Sequence, residues 1–309
     1  MKLCLQIIRI PVYDGLKIGS SSIWDEKAQS VYFVDFFNPN ATICRYDYKE
    51  NEVFCATIFN QPSASSIAPI KGSKNELVVG IKHSIKVVVW NGRDASTSVT
   101  RTIFNVEAHT DPTGRIYVES FTNKICGAES ANSSLYTFTK KSGVNQVATG
   151  FRANGVLAWN KKMEKFYHMN ACDLRIYEYD WDKKTGNLNN QRNVFDFDAN
   201  EVMDFYPSGL TIDREGFLYT ALYEGSMIYK IDPKTRSTVS RIKMPITTPS
   251  HPTFGGPELD ELFVVSGTVA SNFQTGGLKE KQPMNEMSGS LFKIVGLGTK
   301  GYASARPSF

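Results

Sequence analysis

Short runs of β-branched and aromatic residues, bounded by Gly, Pro, Asn or Asp, recur along the whole chain. A typical run covers residues 31–35 and follows a polar turn at residues 26–29. Runs of this kind predict β-strands. No segment shows the long apolar stripe with a 3.6-residue period and capping residues that is typical of an amphipathic helix. The pattern therefore predicts an all-β protein.

The strand runs occur in pairs, and the paired pattern repeats with a spacing of roughly 50 residues, which is the length of a propeller blade. We therefore predict a six-bladed β-propeller with a central channel, built as a single domain from residues 1–309. Residues 3–12 are expected to add an outer strand to the last blade, which closes the ring and limits exposed sheet edges. The alternative, a β-sandwich repeated twice, explains the repeat poorly. The repeats lie at residues 24–48, 75–92, 111–138, 159–180, 213–232 and 259–294.

In a propeller, the segments that lead into the innermost strands meet at one end of the channel. Side chains that are far apart in sequence are therefore expected to share one site there. The six segments are residues 18–23, 62–67, 106–110, 151–155, 206–209 and 247–253.

Composition and charge narrow the classes of partner. The chain of 309 residues is 41% apolar and 21% charged, which is typical of a globular protein with a full-sized core. Its formal charge of +4 is spread along the chain. Because no basic stripe with interleaved aromatic residues occurs, we expect no nucleic-acid partner. No apolar run is long enough to span a membrane, so no membrane partner is expected either.

The number and spacing of the cysteines indicate the redox state of the protein's compartment. Their number is odd and no Cys-x-x-Cys pair occurs, which favours free thiols and a reducing compartment. Cys44 and Cys55 lie in consecutive predicted strands and could meet in a disulfide. Residues 1–8 are interpreted as a strand rather than a signal peptide, because Gln6 interrupts the apolar run and Arg9 ends it. We therefore expect a cytoplasmic location, with an extracellular one as the alternative. The five cysteines are Cys4, Cys44, Cys55, Cys126 and Cys172.

Several motifs, each weak by itself, form a specific combination. Together they resemble the senescence marker protein, gluconolactonase and regucalcin family, and most of all its insect branch, which includes luciferin-regenerating enzyme and anterior fat body protein. The resemblance covers essentially the whole chain and implies the propeller fold. The motifs lie at residues 24–25, 31–35, 154–159, 206–213, 254–260 and 295–302.

The resemblance implies a metal site that this chain carries only in part. Working members of the family are metal-dependent lactonases or related hydrolases whose divalent ion is held by a Glu, an Asn and an Asp. Asn154 matches the family's Asn, but Ser20 stands at the Glu of a Gly-Glu-Gly-Pro pattern and Ser208 at the Asp of a Pro-Asp-Gly pattern. The family's Arg-x-Asn-Asp-x-Lys segment is missing before Asp111. Asn170 replaces a further acidic residue.

These replacements weaken the expected metal chemistry. A calcium or magnesium site needs several hard oxygen donors, usually including carboxylates, and two of them are hydroxyls here. The missing aspartate is also the natural base for an attacking water. We therefore expect no cofactor, apart from calcium or another divalent ion bound weakly, and we do not expect lactonase activity.

Two other kinds of chemistry are weaker hypotheses. A serine nucleophile would need a base and an acid to orient it, and no nucleophile-elbow pattern is present. A zinc site would need histidines at a recognised spacing, which the chain does not have. The nucleophile candidates are Ser20, Ser21 and Ser22, with His109 or His251 as base and Asp204 or Glu107 as orienting acid. The zinc candidates are His83, His109, His168 and His251.

The sequence thus favours a non-catalytic propeller that binds a small organic ligand in its channel. An active lactonase or hydrolase with a rearranged divalent-metal site is the alternative. An interaction protein that uses an outer face is a third hypothesis, although no distinct patch supports it. The sequence does not indicate the ligand or the oligomeric state. The predicted ligand-binding residues are Ser20, Ser22, Asn154, Ser208, His109 and Asn170.

Overall fold

The structure is a computed structural model that describes most of the chain. The described residues are 4–13, 15–82, 84–104, 107–119, 133–139, 143–151, 155–162, 164–200, 205–269 and 284–307. They contain 24 β-strands, numbered β1 to β24 in chain order. No helix among these residues is long and apolar enough to cross a membrane. The all-β prediction is confirmed.

The strands form sets of four, and in each set neighbouring strands are antiparallel. The first set is β2 (Gly19–Asp25), β3 (Ser30–Asp35), β4 (Thr42–Asp47) and β5 (Glu52–Ile58). The second is β6 (Ala64–Pro69), β7 (Glu76–Ile81), β8 (Ser84–Val89) and β9 (Ser96–Phe104). The third is β10 (Glu107–Thr110), β11 (Ile116–Glu119), β12 (Ser133–Thr139) and β13 (Gly143–Phe151).

The remaining strands continue this arrangement. The fourth set is β14 (Gly155–Asn160), β15 (Lys165–Asn170), β16 (Arg175–Trp181) and β17 (Leu188–Asp196). The fifth is β18 (Tyr206–Ile212), β19 (Leu218–Tyr223), β20 (Met227–Asp232) and β21 (Ser237–Lys243). The sixth is β22 (Pro249–Gly255), β23 (Glu261–Ser266), β24 (Leu291–Val295) and β1 (Gln6–Ile10).

The N-terminal strand closes the ring, as the sequence predicts. β1 pairs antiparallel with β24 and completes the sixth set from the opposite end of the chain. β5 and β9, the last strands of the first two sets, also touch through a short parallel pairing. The molecule is therefore a β-propeller with a central channel.

Burial follows the position of each strand within its set. Every residue of β3 and of β19 is buried, because both faces of a second strand are covered by neighbouring sets. The fourth strand β21 has mostly exposed residues. A buried run of β-branched and aromatic residues and a more polar outer strand are the patterns that such layers require.

The hydrophobic core lies between the sets rather than at one centre. Six buried clusters occur among the described residues, and each joins two neighbouring sets around the ring. The cluster between the sixth and first sets includes Trp24 stacked on Phe263, with ring centroids 5.7 Å apart. Because each interface has its own core, the apolar burial that stabilises the fold is distributed around the channel.

The expectation of free thiols is wrong for three cysteines. Cys44 and Cys55 form a disulfide, because antiparallel β4 and β5 place them directly opposite each other with their Cα atoms 4.1 Å apart. Cys172 is also disulfide-bonded, whereas Cys4 is a free, exposed thiol. Counting cysteines could not reveal the Cys44–Cys55 pair, since it depends on strand register.

Candidate functional site

A cavity of about 360 Å³ lies in the channel, between the first strands of the sets. Its wall is largely aliphatic and aromatic, and its polar groups are mostly hydroxyls. None of the described lining residues is an aspartate or glutamate. The cavity is therefore apolar, with hydrogen-bonding groups at a few points. Besides the tyrosines and Trp159, the polar side chains of the lining are Ser20, Ser21, Ser22, Ser65, Ser66, Ser208, Thr211, His251, Thr253 and Ser304.

The serine run at the start of β2 forms a β-bulge beside the cavity. Ser20 pairs with Val34 and Ile23 with Tyr32, so β2 has one more residue than β3 between these two pairs. Within the bulge, Ser21 has a φ of 52°, which lies in the left-handed region. The family pattern has Gly at this position, and glycine adopts such a φ without steric conflict. The bulge turns successive serines of one strand toward the channel.

Ser20 and Ser22 both contact β22. The Ser22 hydroxyl donates a hydrogen bond to the carbonyl oxygen of His251 over 2.6 Å. The Ser20 Oγ lies 3.5 Å from His251 Nδ1. The buried Ser250 hydroxyl donates in the opposite direction, to the carbonyl oxygen of Gly19. These hydroxyls therefore join the first strands of the first and sixth sets at the channel.

The start of β18 comes equally close to β22. Ser208 lines the cavity, and a register shift follows it before Thr211. Gly209 has a φ of 72°, and a Cβ at this residue would lie 2.3 Å from the Cα of His251. Only glycine satisfies both the backbone conformation and this approach. The resemblance implies an aspartate at position 208, where this chain presents a hydroxyl.

The tyrosines of the cavity lining are neutral at physiological pH. Burial raises the pKa of Tyr206. Burial raises the pKa of Tyr223 as well, with smaller contributions from the charges of Glu224 and Asp35. The Tyr223 hydroxyl donates to the carbonyl oxygen of Val269 over 2.6 Å. His251 is the one imidazole among the described lining residues.

The structure brings three of the predicted ligand-binding residues to one cavity: Ser20, Ser22 and Ser208 all line it. Asn154 lies outside the described residues, and so does the side chain of His109, whose backbone belongs to β10. The Asn170 side chain lies in the β15–β16 turn, where its Oδ1 accepts a hydrogen bond from the backbone N–H of Cys172 and its Nδ2 donates to Asp173.

The residues predicted for a serine nucleophile or a metal site are only partly brought together. Ser20 and His251 meet, but Asp204 and the side chain of Glu107, the acids proposed to orient the base, lie outside the described residues. In the part of the chain that the structure describes, no three His, Cys, Asp or Glu side chains form a group that could hold a metal ion. Hydroxyls at Ser20 and Ser208 do not fit the carboxylate-rich site that the family resemblance implies.

One wall of the cavity carries no signal in the sequence. Tyr302, Ala303, Ser304 and Ala305 in the C-terminal segment also line it. This segment follows the last strand and has no periodic pattern, so no local signal marks it as part of a site. Its position depends on contacts with distant turns.

Comparison with known proteins agrees with the fold. A family model described as SMP-30/Gluconolactonase/LRE-like region matches residues 18–268. A regucalcin of Xenopus laevis is 28% identical over 304 residues, which cover 96% of each chain. A solved structure of luciferin-regenerating enzyme superposes with a TM-score of 0.86 at 26% identity, covering 99% of this chain and all of that one. A calcium-binding regucalcin of Agrobacterium tumefaciens has a TM-score of 0.75 at 14% identity, with 96% of each chain covered.

Proposed function

This chain belongs to the SMP-30/gluconolactonase/LRE-like family, and we propose that its channel binds an uncharged, largely apolar small molecule without the family's metal-dependent hydrolysis. One observation carries the proposal. The described lining of the cavity is apolar, with hydroxyls and one histidine but no carboxylate. Sites for small organic ligands are typically built from apolar walls and a few placed polar groups.

The apolar wall determines which ligands have a favourable free energy of binding. Burying apolar surface contributes roughly 25 cal/mol per Å² removed from water, and this cavity offers such surface from Ile67, Leu157 and Leu210. A charged ligand would lose its hydration without meeting an opposite charge among the described lining residues. The Ser20–His251 pair offers one hydrogen-bond donor to a carbonyl or hydroxyl oxygen, from the serine or from the imidazole according to the His251 tautomer. The favoured ligand is therefore apolar with one or two such oxygens.

The donor set argues against the family's usual reaction. A divalent ion would have to be dehydrated, and the hydroxyls of Ser20 and Ser208 offer no negative charge in return. Without the aspartate that Ser208 replaces, the site also has no carboxylate at the position of the natural base. The protein is thus proposed to be a family member that has kept the cavity and lost the chemistry.

A neutral fluorescent probe tests the binding proposal. N-phenyl-1-naphthylamine should bind the wild type with enhanced emission and be displaced by neutral ketones or alcohols. Ser208→Phe should weaken binding by about tenfold, which corresponds to about 1.4 kcal/mol, because the ring fills the cavity. Ser240→Phe, the same change on the exposed face of β21, is the matched control and should leave binding unchanged. Equal effects of the two variants, or no probe binding by the wild type, would contradict the proposal.

A hydrolysis assay tests the loss of chemistry. Lactone hydrolysis by the wild type should equal the buffer rate, both with added calcium and with a chelator. Metal-dependent turnover by the wild type would instead favour an active lactonase with a rearranged site.

The disulfide bears on location. We propose that the protein works in an oxidising compartment, because the Cys44–Cys55 disulfide and the bonded Cys172 are typical of such compartments. Thiol titration of protein denatured directly from its native source should detect fewer free thiols than the five cysteines of the sequence. Five reactive thiols would favour the cytoplasmic location instead.

A further inference from the structure

The C-terminal segment after β24 is held firmly at its beginning. Gly301 donates its backbone N–H to the carbonyl oxygen of Leu259 over 2.8 Å and forms a β-bridge with Asp213. Its carbonyl oxygen accepts a hydrogen bond of 2.9 Å from Arg214 Nε. A Cβ at Gly301 would lie 2.1 Å from the Cβ of Phe254. The segment is therefore fixed to turns of the fifth and sixth sets.

A second anchor holds the end of the same segment on the other side of the channel. Arg306 binds both carboxylate oxygens of Asp25, the last residue of β2, with Nε to Oδ1 at 2.7 Å. Arg306 also donates to the carbonyl oxygen of Ser73 over 3.3 Å. The backbone N–H of Lys71 donates to the carbonyl oxygen of Pro307 over 2.9 Å. These contacts lie at the ends of β2 and β6, in the first and second sets.

Between the two anchors, the segment crosses the channel. Tyr302 packs against the core cluster of the fourth and fifth sets, and Ala303 packs against the cluster of the sixth and first sets. Residues 302–305 all line the cavity. The anchors lie where β2 and β18 end, whereas Ser20 and Ser208 lie where these strands begin. The segment therefore bounds the cavity at the end opposite to the serines.

We propose that residues 302–305 are the floor of the ligand site and set the length of ligand that it accepts, an inference that rests on the proposed binding function. The floor is defined by backbone and side chains that follow the region matched by the family model, which ends at residue 268. Ser304 is a specificity residue, because it lines the cavity between the two anchors and its side chain carries a hydroxyl. Arg306 is a positioning residue, since it acts by holding the floor against Asp25.

A homologous series of straight-chain 2-alkanones measures this length limit. Affinity for the wild type, obtained by displacing N-phenyl-1-naphthylamine, should rise with chain length and then stop rising when the alkyl end meets the floor. Ser304→Phe should move this limit to shorter members and weaken the longest ligand by about tenfold. Arg306→Ala should move the limit to longer members by releasing the floor. Lys300→Ala, which removes only the exposed pair with Glu258, should keep the wild-type limit.

The outcomes separate the two proposals. A wild type that binds no member of the series overturns the proposed function, and this inference with it. A wild type that binds, with the same limit in Ser304→Phe and Arg306→Ala, overturns the floor alone. Because Ser304→Phe leaves both anchors intact, it tests the floor even if Arg306→Ala does not fold, which a thermal melt would reveal.

Discussion

The first strands β2 and β18 carry a different kind of polar side chain at each of their two ends. At the channel end that holds the floor, the first strands of three sets end at or just before a buried aspartate. These residues are Asp25, Asp111 and Asp213. At the opposite end of the channel, which we call the mouth, β2 and β18 begin, and they carry Ser20 and Ser208 there. Two of these strands, β2 and β18, thus have a carboxylate at or after one end and a hydroxyl near the other.

The aspartates at the floor end of the channel stabilise the fold. Asp213 Oδ1 accepts hydrogen bonds from the backbone N–H groups of Glu215 and Phe217 at 3.0 and 2.9 Å, and its Oδ2 accepts one from the Tyr219 hydroxyl at 3.2 Å. Asp111 has a similar turn and pairs with Arg115 at 2.8 Å. A buried carboxylate remains only where such partners replace its hydration.

The mouth has a structural carboxylate in Asp35 of β3, whose Oδ1 accepts the backbone N–H of Ile18 over 2.9 Å, but it needs no charge at Ser20 or Ser208. Its strands are joined by serine hydroxyls to backbone carbonyls and by the close approach of Gly209 to His251. The carboxylates that the family resemblance implies there would serve a metal rather than a turn. The comparison therefore teaches that charge at the floor ends of β2 and β18 serves folding, whereas carboxylates at positions 20 and 208 would serve only chemistry.

The largest expected effect comes from Asp213→Ala. It strands two backbone N–H groups and the Lys230 ammonium, which lies 3.5 Å from the carboxylate. We expect the free energy of unfolding to fall by about 3–5 kcal/mol. Ser208→Ala, at the other end of the same strand, should change it by about 0.5 kcal/mol or less. Chemical denaturation of both variants is the measurement, and similar losses in the two would refute the contrast between the ends.

Gly209→Ala should cause the second-largest loss in the free energy of unfolding, because the close packing of β18 against β22 depends on backbone geometry. The new Cβ would meet His251 Cα at 2.3 Å in a left-handed conformation, so we expect a loss of about 2–4 kcal/mol. Gly72→Ala is the matched control. Gly72 also has a positive φ, of 86°, but nothing lies within 4 Å of a Cβ there, so only about 1 kcal/mol should be lost. Equal melting shifts in the two variants would show that crowding at His251 is unimportant.

The double variant Ser20→Glu/Ser208→Asp moves charge to the mouth. Two carboxylates in an apolar cavity repel each other and lose hydration, so their folded-state pKa values should rise and the apo protein should lose about 1–3 kcal/mol at pH 7. The loss should vanish below the unfolded pKa values of about 4 and grow as the pH rises through the folded ones. Calcium should reverse it, which thermal melts with and without the ion would detect. If calcium stabilised wild type and variant alike, the serines would not be what limits metal binding.

The smallest effect is expected at Ser21. Replacing it by Gly should stabilise the protein by up to about 1 kcal/mol, because the φ of 52° no longer conflicts with a Cβ. Ser240→Gly, in exposed strand β21, should instead destabilise by about 0.5–1 kcal/mol. Denaturant midpoints measure both. Destabilisation of equal size at the two positions would mean that the bulge imposes no strain on Ser21.

Much of the fold could be predicted because its signals are local. The continuous β-branched and aromatic run that builds β3, the turn residues around β19 and the strand of residues 6–10 that closes the ring all appear within short windows of sequence. The positions of Ser20 and Ser208 at the channel followed from the same repeat. Period and turn chemistry are properties of neighbouring residues, so the chain carries them without any tertiary information.

Contacts between distant segments were decided only by the tertiary structure. Ser22 meets His251 across 229 positions, and Arg306 meets Asp25 across 281. The Cys44–Cys55 disulfide depends on register between β4 and β5 rather than on cysteine number. Hydrogen bonds and ion pairs act over a few ångströms in space, and separation along the chain says nothing about that distance. The sequence by itself therefore determined the propeller and its serine-lined mouth, whereas the partners of those serines and the floor of the cavity required the closed ring.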